Sequence, residues 1–409
     1  MSMAGMGGKN GASQKDAYPA SKKNAQQCWN QTSEDGTMYV LEGEYSIDNK
    51  AFWILDMDSK NDGPDNGNAY KKLIGIGNVK IIGSRPIPYH PLNKEKGGKW
   101  INIGKGAHHI LIKNFKVQQV SEGIAAQEGG NHHLRLSHLD FQDTRQNLVL
   151  AGHPDCKSEK TCHIEQKQIS HNIRIDHTSG IRYSKRHIRL SNGIHHVQVL
   201  NSKADSQFLD EDFAVGFDVE NPSHDILFRN SESQRNKYTL SEYWNGDGFK
   251  AEDETYNIRW INCSAFENAD GGFDIKTRKG YLQNITAYQN NRNIRSWHPD
   301  GIILKDANAL DSKHHGGEGS EAGIWTLGDL NCHSCIVRNN KIQILTEKGP
   351  SDSYVRFFDS LFSTDLEESL LMRREEGTHV DFIRTRIWQK QEDVSKQDNH
   401  GFAYVPGKS

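Results

Sequence analysis

The feature that most constrains this chain is a short phrase repeated between Asn245 and Lys305: a Gly followed by an apolar residue, with acidic or Lys side chains on either side. It reads Asp247-Gly248-Phe249-Lys250, then Gly271-Gly272-Phe273-Asp274, then Asp300-Gly301-Ile302-Ile303, with Gly248, Gly272 and Gly301 spaced by 24 and 29 residues. A second phrase, a polar residue followed by alternating apolar and polar ones, recurs more widely. It appears at Asn78-Val79, His109-Ile110, His133-Leu134, Asn172-Ile173, His196-Val197, Asp225-Ile226, Asn257-Ile258, Asn284-Ile285 and Cys335-Ile336. Most of these spacings fall in the twenties and low thirties, as expected for one supersecondary unit per turn of a coil. The period-2 alternation predicts strands, and no sustained helical period competes with it. No tight two-residue turn joins the segments into hairpins. The strands therefore stack in parallel as a solenoid.

Composition agrees with a thin core and many turns: 34% of the 409 residues are hydrophobic and 37 are Gly. A net charge of -3 with both signs interspersed leaves no basic stripe for a nucleic-acid partner. No apolar run is long enough to cross a membrane. Residues 1–24 lack the apolar centre of a secretory signal and read as a disordered leader or tag. The solenoid is expected over 25–345. Residues 346–409 are expected as a capping or packing segment in which Ser353–Phe358, Leu366–Arg373 and Val380–Trp388 supply an amphipathic helix and one or two strands, because open sheet edges need cover. Among six cysteines, Cys156 and Cys162 are placed to close a short loop.

The dipeptides His108-His109, His132-His133 and His195-His196 recur at one place in the repeat, and are read as stacked structural or solvent-facing histidines rather than ligands. Asn at a turn is expected to form a ladder of side-chain amides.

If Phe217, Phe249, Phe273 and Ile302 point inward, their neighbours build outward columns on coils about 4.8 Å apart. One column holds Asp218, Lys250, Asp274 and Ile303; another holds Glu220, Glu252, Lys276 and Lys305. Asp247, Asp270 and Asp274 then converge on one patch. Three close carboxylates repel unless a cation lies among them, and a hard cation such as Ca2+ suits oxygen ligands. A ladder of exposed ion pairs is the other reading of the same columns.

The run NGDGFKAE followed by NCSAFENADGGFDIK resembles the calcium-site region of the family-nine pectate lyases, right-handed single-stranded parallel β-helix enzymes. The resemblance is specific over about 60 residues and general over about 320. It places calcium ligands on Asp247, Asp270 and Asp274, with Gly271 standing where the family has a further aspartate; Asp300 is a nearby substitute. It implies β-elimination on an acidic polysaccharide, with calcium neutralising the uronate carboxylate and a lysine removing the C5 proton. The family's lysine phrase matches best at Asp300–Lys305, making Lys305 the expected base, with Lys250 and Lys276 as rivals. Arg278 and Arg295 are candidate clamps for substrate carboxylates, and Tyr243, Trp244 and Trp297 candidate sugar platforms. The expected protein is a secreted or periplasmic monomeric lyase. A uronate epimerase, an inverting hydrolase using the three aspartates and a non-catalytic carbohydrate-binding solenoid are its alternatives.

Overall fold

The computed structural model describes residues 21–47, 55–57, 59–60, 62–64, 69–88, 97–241, 244–317, 319–389 and 405–406. Most of the expected leader, and Tyr243, lie outside them. Among these residues every pairing between strands is parallel, and the strands assemble into a 13-stranded sheet and a 23-stranded sheet. The larger one forms two faces joined at a kink, as the unbroken strands His108–Gln118, His132–Gln142 and His171–Ile181 show. One coil thus presents three strand segments, and the chain is a parallel β-helix.

The turns explain the polar letters of the repeat. His109, His133, Asn172, His196, Asp225 and Asn257 all have φ between 49° and 54°. A second set of left-handed residues follows in each coil: Asn114, His138, His177, Asn201, Asn230, Asn262 and Asn284. Asn, Asp and His tolerate this conformation better than other residues with a Cβ. Asn284-Ile285 and Cys335-Ile336 belong to the second kink, not the first; two kinks with the same backbone demand select the same local phrase. The amide ladder runs along this second kink. Asn284 donates to Asn262 (3.0 Å), Asn262 to Asn230 (3.1 Å), Asn230 to Asn201 (3.1 Å) and Asn201 to Asp176 (3.0 Å).

The core is a set of stacked columns. Ile188, Phe217, Phe249, Phe273, Ile294 and Ile324 succeed one another in register on the 13-stranded sheet. Phe217 and Phe249 stack at 4.7 Å, Phe249 and Phe273 at 4.9 Å. A buried Asn file runs beside them, from Asn236 to Asn268 (2.8 Å), Asn290 (2.8 Å), Asn293 (2.9 Å) and Asn340 (2.9 Å). This file is one reason glycine precedes Phe249 and Phe273: a Cβ on Gly248 would sit 2.8 Å from Asn268 Nδ2, and one on Gly272 2.6 Å from Asn290 Nδ2.

Both ends differ from expectation. A helix over Lys22–Gln31, capped by Ser21 Oγ on the Asn24 N–H at 3.1 Å, closes the first coil and buries Ala25 and Trp29. Its Gln26 both donates to Asp56 O and accepts from the Asp56 N–H, each at 2.9 Å, occupying backbone groups of the first strand of the 13-stranded sheet. That protects an edge that would otherwise recruit another chain. At the other end the coil does not stop near 346. Ser353–Phe358, Leu361–Thr364, Leu370–Arg374, Thr378–Ile383 and Arg386–Gln389 continue the ladders. The helix expected among these segments is not there: all three contribute strands in the described residues, and Leu370 and Met372 register on Ile342 and Ile344 of the coil beneath. Templating by that coil overrides local helix propensity. Two disulfides close short loops, Cys156–Cys162 as expected and Cys332–Cys335.

Candidate active site

On the outer face of the 13-stranded sheet lies a groove of about 560 Å³ lined by Trp244, Asn245, Asp247, Asp253, Asp270, Asp274, Lys276, Arg292, Arg295, Trp297 and Gly319. Strand register builds it. Lys250, Asp274, Arg295 and Trp325 form one outward column on successive coils. Gly271 pairs with Arg292 at the sheet's entry. Because Gly271 has no side chain, Asp247 and Asp274 approach the same space: a Cβ there would lie 2.9 Å from Asp247 Oδ1 and 3.2 Å from Asp274 Cβ. Asp247, Asp270 and Asp274 thus converge as the sequence implies.

The third phrase does not join them. Ile302–Lys305 belongs to the 23-stranded sheet, where Ile303 pairs with Tyr281 and Asn331, and Lys305 with Gln283 and His333. Lys305 is exposed there, away from the aspartates. The coil that follows Gly271–Ile275 on the site's own sheet is Arg292–Ser296, with Asn293 in the glycine slot and its amide in the buried Asn file. Arg292 and Arg295 therefore occupy the places where Asp300 and Ile303 were expected. Their signal was in the sequence, but an Asn in place of the Gly hid it. Arg278 also lies outside the groove, bonded to Glu159 of the disulfide loop and packed over Tyr256 at 5.4 Å. Asp300 is exposed in a turn, its N–H donating to His298 Nδ1.

Ion pairing organises the floor. Asp270 accepts from Arg292 Nη1 at 3.0 Å through one oxygen and from Arg295 Nη1 at 2.9 Å through the other. Arg295 Nε also lies 3.6 Å from Asp274 Oδ1, which accepts the Trp297 indole N–H at 2.6 Å. Trp297 is held under the Arg295 guanidinium, 4.3 Å from its ring, and against Trp325. Asp247, 1% exposed, accepts the Gly271 N–H at 2.8 Å. Burial, with Asp274 and Asp270 beside it, raises its carboxyl well above the usual carboxylate range against the pull of Arg295 and Lys250. Burial raises Asp270 too, with Arg295 and Arg292 opposing.

The lysines are the reverse of what a base requires. Burial pulls Lys250 down, but Asp218 and Glu252 outweigh it and hold the ammonium above its ordinary value. Burial likewise opposes Asp274 and Glu252 at Lys276, and the carboxylates win. Lys276 sits 2.9 Å from Glu252 and 3.8 Å from Asp274. Nor does the donor set fit calcium, which takes six to eight oxygens. Both Asp270 oxygens are spent on guanidiniums, and Arg295 stands where a cation shared by Asp270 and Asp274 would sit. A guanidinium lies between the two carboxylates that the resemblance assigns to the cation.

The fold and its stacked outer groove define a right-handed parallel β-helix. The chain is similar in structure to the catalytic unit of a thermostable α-1,3-glucanase from Streptomyces thermodiastaticus, at 10% identity and a TM-score of 0.54 over 92% of this chain and 68% of that one. It is similar also to the A-module of a mannuronan C-5 epimerase from Azotobacter vinelandii, at 11% identity and a TM-score of 0.51 over 91% and 94%. A pectate lyase aligns at 11% identity with a TM-score of 0.43 over 92% and 78%. The fold likeness rests on the first two. No protein-family model and no curated protein sequence matches the chain.

Proposed function

We propose that this chain is an enzyme that cleaves an acidic, uronate-containing polysaccharide in the groove floored by Asp247, Asp270 and Asp274. The observation that carries this reading is the division of labour among the carboxyls. Burial and its acidic neighbours raise the Asp247 carboxyl, while Asp270 and Asp274 are matched to guanidinium and indole donors. Environments that separate the protonation states of adjacent acids mark out an acid and its partner. Asp247 donates its proton to the leaving glycosidic oxygen, and Asp274 activates the attacking water. Arg292 and Lys276 face the substrate's carboxylates, and Trp244 and Trp297 form apolar walls. The groove continues into a cavity of about 460 Å³ that shares Arg292 and Gly319 and adds Lys348 and Arg373, a length suited to several sugars of a polymer.

β-Elimination is the second reading, favoured by Lys276 on the groove floor between Asp274 and Trp297. It requires Lys276 to shed its proton once substrate separates it from Glu252. The two disulfides support a secreted or periplasmic setting, where such bonds persist. The test is incubation with polygalacturonate, alginate and neutral glucans, following new reducing ends and the ultraviolet absorbance of unsaturated uronate together. Reducing ends without absorbance support hydrolysis through Asp247. Absorbance that rises in step with chain cleavage moves the chemistry to elimination. Neither signal on any polymer would remove the enzymatic reading in favour of a binding solenoid.

A further inference from the structure

A second constellation lies on the other side of the coil, where the histidine dipeptides fall. In a regular strand consecutive side chains point to opposite faces. Here the second histidine of each pair is left-handed, with φ of 49° at His109 and 52° at His133, and the kink turns both rings the same way. Their Nδ1 atoms meet: 3.1 Å apart in His108–His109 and 2.9 Å in His132–His133. Register then sets one pair on the other, His108 over His132 at 4.7 Å and His109 over His133 at 4.4 Å with rings nearly parallel. The file continues through His171, His195 and His224 to Tyr256, so the expected stacking is present. Both positions carry histidine in three coils, at His108-His109, His132-His133 and His195-His196, but only the first two of these lie next to each other; the second position beside His196 is Asn172 on one side and Asp225 on the other.

We propose that His109, His132 and His133 form a binding site for a divalent transition-metal ion of the zinc type. Their ligand nitrogens lie within 4.8 Å of one another. Two imidazole nitrogens bound to one zinc at about 2.0–2.1 Å stand roughly 3–3.5 Å apart, close to the spacing already present within each pair. Imidazole suits zinc, copper and nickel and leaves calcium aside. Metal binding needs the neutral ring. The ion takes the lone pairs of both Nδ1 atoms in the His132–His133 pair, with their protons on Nε2. Three protein ligands leave a fourth position for water or a ligand. Asp62 Oδ2, which accepts the His108 N–H at 3.0 Å and lies 3.8 Å from His108 Nε2, is the nearby carboxylate that orients the adjoining ring.

The test is calorimetric titration of the full chain, carrying no affinity tag, with zinc alone, backed by the visible absorption of cobalt in its place. His133→Asn is the variant of choice, because Asn172 holds the same left-handed position one coil on and the backbone has no reason to change. The expected result is one saturable zinc per chain, weakened about 100-fold or more by His133→Asn and by His132→Ala. His196→Asn, in a pair without a doubled neighbour, leaves it unchanged. A melting curve of each apo variant separates lost ligation from lost fold. Absence of saturable zinc binding, or equal affinity in His133→Asn, overturns the proposal.

Discussion

The Gly271 N–H donates to Asp247 Oδ1 at 2.8 Å, and the absent Gly271 side chain leaves the space in which Asp247 and Asp274 meet. Asp247 is therefore positioned by a residue that contributes no side-chain functional group. Where the resemblance to pectate lyases puts one more aspartate, this chain needs bare backbone.

Gly271→Asp is accordingly expected to injure the site rather than restore a calcium centre. The new Cβ crowds Asp247, and overpacking of this kind costs about 1–3 kcal/mol, with a further buried charge added to a crowded cluster. Thermal melting and cleavage assays with and without calcium check this; calcium-stimulated activity in the variant would contradict it.

Asp247→Asn keeps the shape and the Gly271 contact but removes the transferable proton. Loss of a general acid lowers kcat about 10²–10⁴-fold, with KM little changed. Steady-state kinetics on the polymer identified by the substrate panel is the measurement. Lys305→Ala, on the other sheet, leaves kcat unaltered.

Arg295 binds Asp270 and lies beside Asp274 with its side chain 14% exposed, so Arg295→Met takes a cationic partner from two largely buried carboxylates. Breaking a buried pair from one side costs about 3–5 kcal/mol. Denaturant unfolding should show this loss, and Arg295→Met combined with Asp270→Asn should recover part of it.

The pH dependence has two separable limbs. Asp247 is raised in the fold, so its stabilisation is full below the unfolded carboxylate value, about 3.9, and is lost as pH rises through its raised value. Asp247→Asn should flatten that limb. Buried His187, bonded to Asn147 and Thr178, is lowered to about 3, and stacked His195 to about 4. These groups stabilise fully above about pH 6.5, and that stability is lost as pH falls toward their lowered values. Melting temperature against pH, for wild type, Asp247→Asn and His187→Gln, resolves the two.

Much of the architecture was legible in the letters. A strand period of two, a repeat near 24–32 residues and Asn, Asp or His at left-handed kinks are local demands, and each coil states them again. The convergence of Asp247, Asp270 and Asp274 followed from stacking two neighbouring coils whose glycine phrases are nearly identical. The misplacement of Lys305 arose because Asp300-Gly301-Ile302 imitates the phrase while starting a strand of a different sheet; Gly301 there is a turn residue with φ of 72°.

What the sequence determined by itself is the coil: which residues face inward, where the chain bends, and that successive turns stack. What only the tertiary structure decided is which coil follows which on a given face, and so which charges become neighbours. Ion pairing and burial are pairwise and reach across coils. The guanidiniums beside Asp270, the raised Asp247 carboxyl and the doubled histidines at 109 and 133 exist only once register brings residues more than twenty positions apart into contact.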